Sequence, residues 1–316
     1  MKVVVVGNGP AAISAIETMR SLNSEVDITL ISKEKEIYSP CLLPYFLSGD
    51  IDEERLRFRD IGFYERMRLS PIFRKAERID PNQKLVFLTD SSQVRYDKLL
   101  IATGSLPVSP KIDGMDKEGV FFFHNRKDAK KVVEWGENCK KAVVVGAGFI
   151  GIEVAIALQR RGIMVSVVEV QDRVLPEMVD KDMAEKVKRR LEENAIQVIL
   201  ESQVAEVIGN KRVKGVTLDQ GTVECEMVII SAGVSPNIEI VKETEIKTNV
   251  GIIVDKTMRA SVEDVYAAGD VAEAIDIISK ERTINPIWPN AVKEGRVAGY
   301  NLLGIEKEYE LSLIHI

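Results

Sequence analysis

The chain has 316 residues and a net charge of −6, from 43 Lys and Arg against 49 Asp and Glu. This length favours two domains, because one domain usually takes about 100–200 residues. Hydrophobic residues make up 45% of the chain and charged residues 29%. This composition is too apolar for a disordered protein, and the acidic balance argues against nucleic acid as a partner.

Cysteine and histidine are too few and too scattered for several classes of site. The three cysteines, Cys41, Cys139 and Cys225, form no C-x-x-C pair, so we expect neither a disulfide scaffold nor a cysteine-rich zinc site. We therefore expect no metal centre, and the cysteine usage favours a reducing, cytoplasmic location. No stretch approaches the roughly 18 apolar residues that a membrane span needs, so we expect no membrane span.

The chain begins with a β-branched run, a glycine-rich turn and a predicted helix. Gly7, Gly9 and Ala12 form a G-x-G-x-x-A pattern. A pyrophosphate on a helix N-terminus needs close approach to backbone N–H groups, so side chains must be absent there. An acidic residue should follow the next strand to bind ribose hydroxyls. Glu34 is the candidate, and Ser32 is the alternative occupant of the usual position.

The same pattern returns 139 positions later, where Gly146, Gly148 and Gly151 form a G-x-G-x-x-G motif. Glu169 ends the next predicted strand. A carboxylate there accepts hydrogen bonds from both ribose hydroxyls and repels a 2′-phosphate, so NADH is favoured over NADPH, although Arg173 is close by. The chain therefore carries two copies of a nucleotide-binding unit.

Strands that alternate with helices predict an α/β fold of two Rossmann-like domains, each a parallel sheet with helices. Residues 76–88 and 203–230 are predicted to add a small β-meander to each domain. Pro107, Pro110 and Gly114 mark the first boundary. The segment after residue 250 completes neither copy by itself, so we expect it to return to the first domain.

Together these motifs resemble the pyridine nucleotide–disulfide oxidoreductases over residues 1 to about 310. Three further stretches are similar to that family: residues 102–104, 231–233 and 265–270. The resemblance implies FAD binding by residues 1–110 and 246–310, and NAD(P)H binding by residues 111–245. The cofactor-binding residues that it implies are Gly7, Gly9, Pro10, Ala11, Ala12, Glu34, Thr103, Gly104, Gly146, Gly148, Phe149, Ile150, Gly151, Glu169, Gly233, Gly269 and Asp270.

Cys41 is the candidate redox residue. It precedes a predicted helix with Pro44 in its first turn, and a thiol at a helix N-terminus has a lowered pKa. Its context resembles the single-cysteine branch, with coenzyme A disulfide reductases and NADH oxidases. Phe46 excludes the branch with two cysteines five positions apart. Pro10 stands where peroxidases of the family carry histidine, which argues against peroxide reduction.

Glu153 follows the second glycine motif on an otherwise apolar helix, and the resemblance places it near the nicotinamide and flavin. It is the second candidate catalytic residue. The alternative is a first-turn acid favoured by the helix dipole. Residues 292–303 are predicted to form a helix. The resemblance implies that its N-terminus points at the flavin, and the alternative is a purely structural helix. Cys139 is expected to be exposed, and Cys225 is expected to lie in a strand.

Two functions stay open at this point. The first passes hydride from NADH to FAD and then to a small-molecule disulfide or polysulfide through Cys41. The alternative is a reductase that passes electrons through FAD to a rubredoxin, iron–sulfur or nitrite-reductase-like protein, with Cys41 idle. A flavin-binding protein without activity is a third hypothesis.

The resemblance also implies a C-terminal interface domain, about 100 residues long, that is absent from this sequence and would form a homodimer. Residues 311–316 resemble the translation of a sequencing adapter, so we expect a non-native tail there.

Overall fold

The computed structural model describes residues 1–310, which divide into two compact units. The first unit comprises residues 1–39, 57–106 and 235–310, and the second comprises residues 40–56 and 107–234. The main difference from the predicted segments is that residues 40–56 belong with the second unit. The predicted tail at 311–316 lies outside the described residues.

The α-helices of residues 1–310 are α1 Pro10–Leu22, α2 Leu43–Ser48, α3 Phe63–Arg66, α4 Arg126–Gly136, α5 Phe149–Arg160, α6 Lys181–Glu193 and α7 Trp288–Leu302. The strands of the first half are β1 Lys2–Val6, β2 Asp27–Ile31, β3 Leu69–Ile72, β4 Ala76–Asp80, β5 Leu85–Leu88, β6 Gln93–Arg95, β7 Lys98–Ile101, β8 Ser105–Pro107, β9 Val120–Phe122 and β10 Lys141–Val145. The remaining strands are β11 Met164–Val168, β12 Ile196–Ile199, β13 Val204–Ile208, β14 Gly215–Leu218, β15 Gly221–Glu224, β16 Met227–Ile230, β17 Val234–Pro236, β18 Ile252–Ile253, β19 Val265–Ala267, β20 Ala272–Ile275 and β21 Arg282–Thr283.

Each unit contains a five-stranded parallel sheet. The strand order is β19-β7-β1-β2-β3 in the first unit and β12-β11-β10-β16-β9 in the second. The central strands are apolar runs buried along most of their length, as expected for parallel strands that are covered on both faces. The predicted α/β fold is therefore confirmed.

The small antiparallel sheets lie where the sequence predicts meanders. Strands β4, β5 and β6 form one three-stranded sheet, and β13, β14 and β15 form another. Strand β19 pairs with β7 in the first sheet. The chain after residue 250 thus contributes a strand to the first sheet.

Residues 40–56 join the second unit because helix α2 packs against α5. Leu43 and Leu47, one helical turn apart, are buried. At the end of α2, Asp50 forms an ion pair with Arg160 of α5 at 2.7 Å. A pattern of only six helical residues is too short to show on which unit it packs.

Helix α7 begins at Trp288, four residues before the predicted start. Pro289 lies in its first turn, where a missing N–H costs nothing. The helix packs closely on α1 through two glycines. A Cβ on Gly295 would lie 2.1 Å from Ala11 O, and one on Gly299 would lie 2.8 Å from Ala15 O. Among residues 1–310, no helix has the length and apolarity to cross a membrane.

Candidate dinucleotide sites

The first glycine turn joins β1 to α1. Gly7 has a φ of +113°, and a Cβ there would lie 2.0 Å from Ala102 O. Its N–H donates to Ile31 O at 2.8 Å. Gly9 is the N-cap of α1, and a Cβ on it would meet nothing within 4 Å. The N-terminus of α1 therefore opens onto space that a pyrophosphate can fill.

The second glycine turn repeats this geometry between β10 and α5. Gly146 has a φ of +106°, and a Cβ there would lie 2.2 Å from Ser231 O. Space is again open beside Gly148, the N-cap of α5. Gly151 adds a contact of its own, since its Cβ would lie 2.0 Å from Gly146 O. Both turns thus have the tight bend and the open cradle that a dinucleotide needs.

Exposed apolar side chains flank the second cradle. Phe149 and Ile150, in the first turn of α5, are 54% and 41% exposed. This end of α5 thus presents apolar side chains beside the second cradle.

Three predicted motifs meet at the carboxyl edge of the first sheet. Ala102 N–H donates to Val6 O at 2.8 Å, and Ala268 N–H donates to Ile101 O at 3.1 Å. The ends of β1, β7 and β19 therefore lie side by side. Ligands of open α/β sheets bind at this edge.

Polar side chains of the first unit are held in place around this edge. Ser105 Oγ donates to Asp270 Oδ2 at 2.8 Å, which fixes one carboxylate oxygen. Thr103 Oγ1 donates to Asn237 O at 2.8 Å. Gly104 lies between these residues with a φ of +68°. The chain thus turns sharply where the sequence motif places its small residues.

A buried carboxyl group, Glu294, supports the turn that carries Asp270. Its Oε2 accepts a hydrogen bond from Gly269 N–H at 2.7 Å. Burial raises the pKa of Glu294 to about 8, and the nearby charge of Asp270 adds to this effect. The buried Tyr309 also faces Glu294, and burial raises the pKa of its phenol. Glu294 is therefore largely protonated at neutral pH.

Ser32 and Glu34, the two candidates for the ribose-binding position after β2, occupy different places. Ser32 N–H donates to Ile72 O at 3.1 Å, which continues the pairing of β2 with β3. Glu169 N–H makes the same bond to Ile199 O in the second unit, at 2.8 Å. Ser32 is therefore the counterpart of Glu169. Glu34 lies two residues further on, and its N–H donates to Ser32 Oγ at 3.1 Å.

The Glu169 carboxylate is buried and oriented by the backbone. Oε2 accepts from Ala147 N–H at 2.7 Å, within the glycine motif, and Oε1 accepts from Gln171 N–H at 2.9 Å. Each oxygen keeps a lone pair for a further donor. The residues directly after Glu169 border an open cleft of about 590 Å³. Its lining consists of residues 170–173, 201–203 and Asp219.

The predicted catalytic residues lie on the second unit. Cys41 is exposed, in a 3-10 turn over Pro40–Leu42 that leads into α2. The helix after Cys41, with Pro44 in its first turn, is as predicted. Glu153 lies on α5, and partial burial raises the pKa of its carboxyl group.

The other two cysteines differ from expectation. Cys139 is buried, not exposed, because its thiol lies under the start of β10 and donates to Lys141 O at 3.3 Å. Cys225 is buried between β15 and β16 rather than within a strand. Burial raises the pKa of Cys139 to about 11 and that of Cys225 to about 12. Both thiols are therefore poor nucleophiles.

Comparison with known proteins now identifies the family. The family model described as pyridine nucleotide-disulphide oxidoreductase matches residues 1–295. The chain belongs to this family. It is thus an NAD(P)H-dependent flavin oxidoreductase by class, which confirms the resemblance seen in the glycine motifs.

Similar members of the pyridine nucleotide-disulphide oxidoreductases include archaeal enzymes. The NADH oxidase of Methanocaldococcus jannaschii is 37% identical over 98% of this chain and 71% of its own length. The CoA-dependent NAD(P)H sulfur oxidoreductase of Pyrococcus furiosus is 32% identical, with the same coverages of 98% and 71%. The structure of an NAD-dependent persulfide reductase from A. fulgidus superposes with a TM-score of 0.94 at 32% identity, over 98% of this chain and 60% of that one.

Two site residues of this oxidoreductase were missed by sequence reasoning. Glu294 resembles a solvated helix residue, yet it shares the helical spacing of the buried Ala291 and Ala298, and this periodicity was a usable signal. Asp172 is the other. It lies in a charged run after Glu169, and only the structure shows that it contacts both Arg173 and Lys181.

Proposed function

We propose that this oxidoreductase takes a hydride from NADH onto FAD and reduces a small disulfide or polysulfide through Cys41. The observation that carries the proposal is an exposed cysteine at the start of a helix, in a chain with two complete dinucleotide cradles. The sulfur-reducing relatives support this class of acceptor. The finer steps below belong to the proposal.

FAD would lie on the first unit. Its pyrophosphate would occupy the space beside Gly9 at the N-terminus of α1, on residues 7–12. The residues that would hold the remainder are Thr103, Gly104, Gly269 and Asp270, with Glu34 or Ser32 at the end of β2. Ser105 fixes one oxygen of the Asp270 carboxylate. The other oxygen would accept a hydrogen bond from a hydroxyl of the ribitol chain. When bound, FAD would supply a two-electron acceptor between the nicotinamide and the sulfur substrate.

NADH would lie on the second unit. Residues 146–151 would hold its pyrophosphate, and Gly233 would border it across the sheet edge. The Glu169 carboxylate would accept hydrogen bonds from the ribose hydroxyls. Two backbone N–H groups orient it and leave lone pairs available on both oxygens. Glu153 would face the nicotinamide end, where partial burial raises the pKa of its carboxyl group. NADH is favoured over NADPH because a carboxylate repels a 2′-phosphate.

Cys41 would act as the nucleophile. Its thiolate would attack one sulfur of the acceptor, forming a mixed disulfide while the acceptor's own S–S bond breaks and the second sulfur leaves as a thiolate. The electron pair from NADH would then cleave the mixed disulfide. This returns the Cys41 thiolate and, with a proton, releases the second thiol. One NADH and one proton thus reduce one disulfide to two thiols.

The Cys41→Ser substitution tests this mechanism. We expect NADH-dependent reduction of coenzyme A disulfide and polysulfide to fall at least about 100-fold, because the hydroxyl cannot carry the mixed disulfide. Reduction of the flavin by NADH in stopped-flow absorbance should persist. Cys139→Ser is the matched control and should retain activity, since that buried thiol is a poor nucleophile.

Full turnover of both sulfur substrates by Cys41→Ser would rule out the thiol mechanism. Activity of that variant with a rubredoxin or iron–sulfur partner would then favour the electron-transfer alternative. If NADH fails to bleach the flavin band of the unmodified protein, the oxidoreductase proposal itself is wrong.

A further inference from the structure

We propose that Asp172 determines the dinucleotide preference of the second unit by holding two cations, Arg173 and Lys181, away from a ribose 2′-phosphate. This inference rests on the proposed function, which binds NADH at Glu169 and the adjoining cleft. It assigns to Asp172 a specificity role separate from the ribose contact of Glu169.

Asp172 contacts one cation with each carboxylate oxygen. Oδ1 accepts from the Arg173 guanidinium at 2.7 Å, and Oδ2 lies 2.6 Å from Lys181 Nζ at the start of α6. The hydrogen bond from Lys181 and then that from Arg173 lower the pKa of Asp172, so it is ionised at neutral pH. A single carboxylate thus holds both cations, although its one negative charge balances only one of their two positive charges.

Arg173 is held on a second side as well. Its other terminal nitrogen donates to Pro176 O at 2.9 Å, and its Nε is buried in the described structure with no hydrogen-bond partner. A guanidinium binds phosphate best through two parallel N–H groups. The contacts with Asp172 and Pro176 each use one N–H of a terminal nitrogen, so a phosphate in the cleft would compete with both for this guanidinium.

The remaining charges around the cleft are negative. Glu201 and Asp219 line it, and Glu169 accepts a hydrogen bond from the lining residue Gln171. With Asp172 holding the cations, a 2′-phosphate carrying about −1.5 to −2 charges would meet the carboxylates of Glu201 and Asp219. Removal of the Asp172 charge would return two cations to the same space. The ion pairs are partly exposed, with side-chain exposures of 30–38% for Asp172 and Arg173, so breaking them costs the fold little.

The experiment measures binding of two adenosine nucleotides to the FAD-loaded protein by calorimetry. Adenosine 2′,5′-bisphosphate carries the discriminating phosphate, and AMP lacks it. In Asp172→Asn we expect the bisphosphate to bind about tenfold more tightly, with AMP changed less than about twofold. The gain should shrink as salt rises, because it is a charge effect in a wet cleft.

Asp219→Asn is the matched control, because it removes one negative charge from the same cleft. Asp219 accepts a hydrogen bond from Ser202 at 2.6 Å. The control should therefore change bisphosphate binding by less than about threefold. The double variant Asp172→Asn with Arg173→Gln should lose most of the gain. Asp172→Ser serves as a second charge-removing variant if the amide disturbs the loop.

Three outcomes would overturn the inference. Unchanged bisphosphate affinity in both Asp172 variants would show that Asp172 does not withhold the cations. An equal gain in Asp219→Asn would reduce the effect to net charge. A gain that survives the loss of Arg173 would show that this arginine is not one of the withheld cations. Failure of AMP to bind the unmodified protein, by contrast, would refute the proposed NADH site, and this inference with it.

Discussion

The two units of the molecule are two versions of one architecture, and their differences indicate how each serves its ligand. Both sheets place the glycine strand at the centre, with β7 or β16 on one side and β2 or β11 on the other. The outer strand differs in origin. In the first unit β19 comes from late in the chain, whereas in the second unit β9 precedes the glycine strand.

This difference in origin changes the chemistry of the sheet edge. The late strand β19 leads into Gly269 and Asp270, which Ser105 and Glu294 hold in place. Strand β9 brings the aromatic residues Phe121 and Phe122 instead. The first unit therefore gains a carboxylate beside its cradle from the returning chain. The second unit carries its carboxylate, Glu169, on the strand next to the glycine turn.

The two units also differ in how tightly the helix packs at the third position of the glycine motif. Gly151 leaves no room for a Cβ, which would lie 2.0 Å from Gly146 O. The first unit has Ala12 at this place, completely buried. The first turn thus accommodates one methyl group where the second accommodates none. The same motif is built with different clearances in the two units.

The largest effect should come from adding a methyl group to the first glycine of either turn. Gly7→Ala and Gly146→Ala each force a side chain into a left-handed backbone and against a carbonyl oxygen at 2.0 or 2.2 Å. We expect each to cost its own unit about 4 kcal/mol or more. Hydrogen exchange with mass spectrometry should show lost protection in β1 for the first substitution and in β10 for the second.

Gly304→Ala is the control for backbone strain alone. Gly304 has a φ of +78°, and a Cβ there would meet nothing within 4 Å. Its cost should be about 1–2 kcal/mol. If Gly7→Ala costs no more than Gly304→Ala, the close contact with Ala102 is not what makes glycine necessary in the first turn.

A smaller effect, specific to the first unit, should follow from Glu294→Gln. The folded pKa of Glu294, about 8, lies above the ordinary value of 4.5 for a glutamate carboxyl group. Its contribution to stability is therefore complete below pH 4.5 and is lost as the pH rises through 8. The amide oxygen can still accept from Gly269 N–H but carries no charge. At pH 8 the variant should be more stable than the parent, on the order of 3 kcal/mol, with little difference at pH 4.5.

Glu273→Gln should have the opposite effect in the same unit, a loss of stability. Glu273 is buried, and its Oε2 accepts from both Val250 and Gly251 N–H at 2.9 Å. Its Oε1 accepts from Asn249 at 3.1 Å. An amide would turn one acceptor into a donor, so stability should fall. Thermal unfolding between pH 4.5 and 8 compares the two variants. A parent protein with the same pH profile as Glu294→Gln would show that burial does not perturb Glu294.

Sequence reasoning predicts what depends on local pattern and on the repeat. The glycine turns, the parallel sheets, the meanders and the return of the chain at β19 all follow from β-branched runs and the 139-residue offset. The start of α7 was placed four residues late, because the Trp288-Pro289 pair interrupts the apolar pattern. Proline nevertheless fits a first helical turn.

Features that depend on long-range packing could not be predicted in this way. Ser32 and Glu34 lie two positions apart, and only the register of β2 with β3 decides which one ends the strand. Cys139 sits among polar residues in the sequence, yet its thiol is buried under β10. The attachment of residues 40–56 to the second unit is a third case, since it depends on α5, more than 90 residues later.

The smallest effect should come from the ion pair that helps to attach residues 40–56 to the second unit. It also bears on how the helices that cover α1 and α5 differ. Helix α7 lies on α1 through Gly295 and Gly299, whereas α2 lies on α5 with Leu47 buried and Asp50 paired to Arg160 at 2.7 Å. The pair is about half exposed, at 55% for Arg160 and 46% for Asp50. Asp50→Asn should therefore cost at most about 0.5 kcal/mol. Leu47→Ala, which removes buried volume from the same helix, should cost about 2–4 kcal/mol. Exchange of the α2 amides measures both, and equal losses would mean that the ion pair contributes as much as apolar packing to holding the cysteine-bearing segment on the second unit.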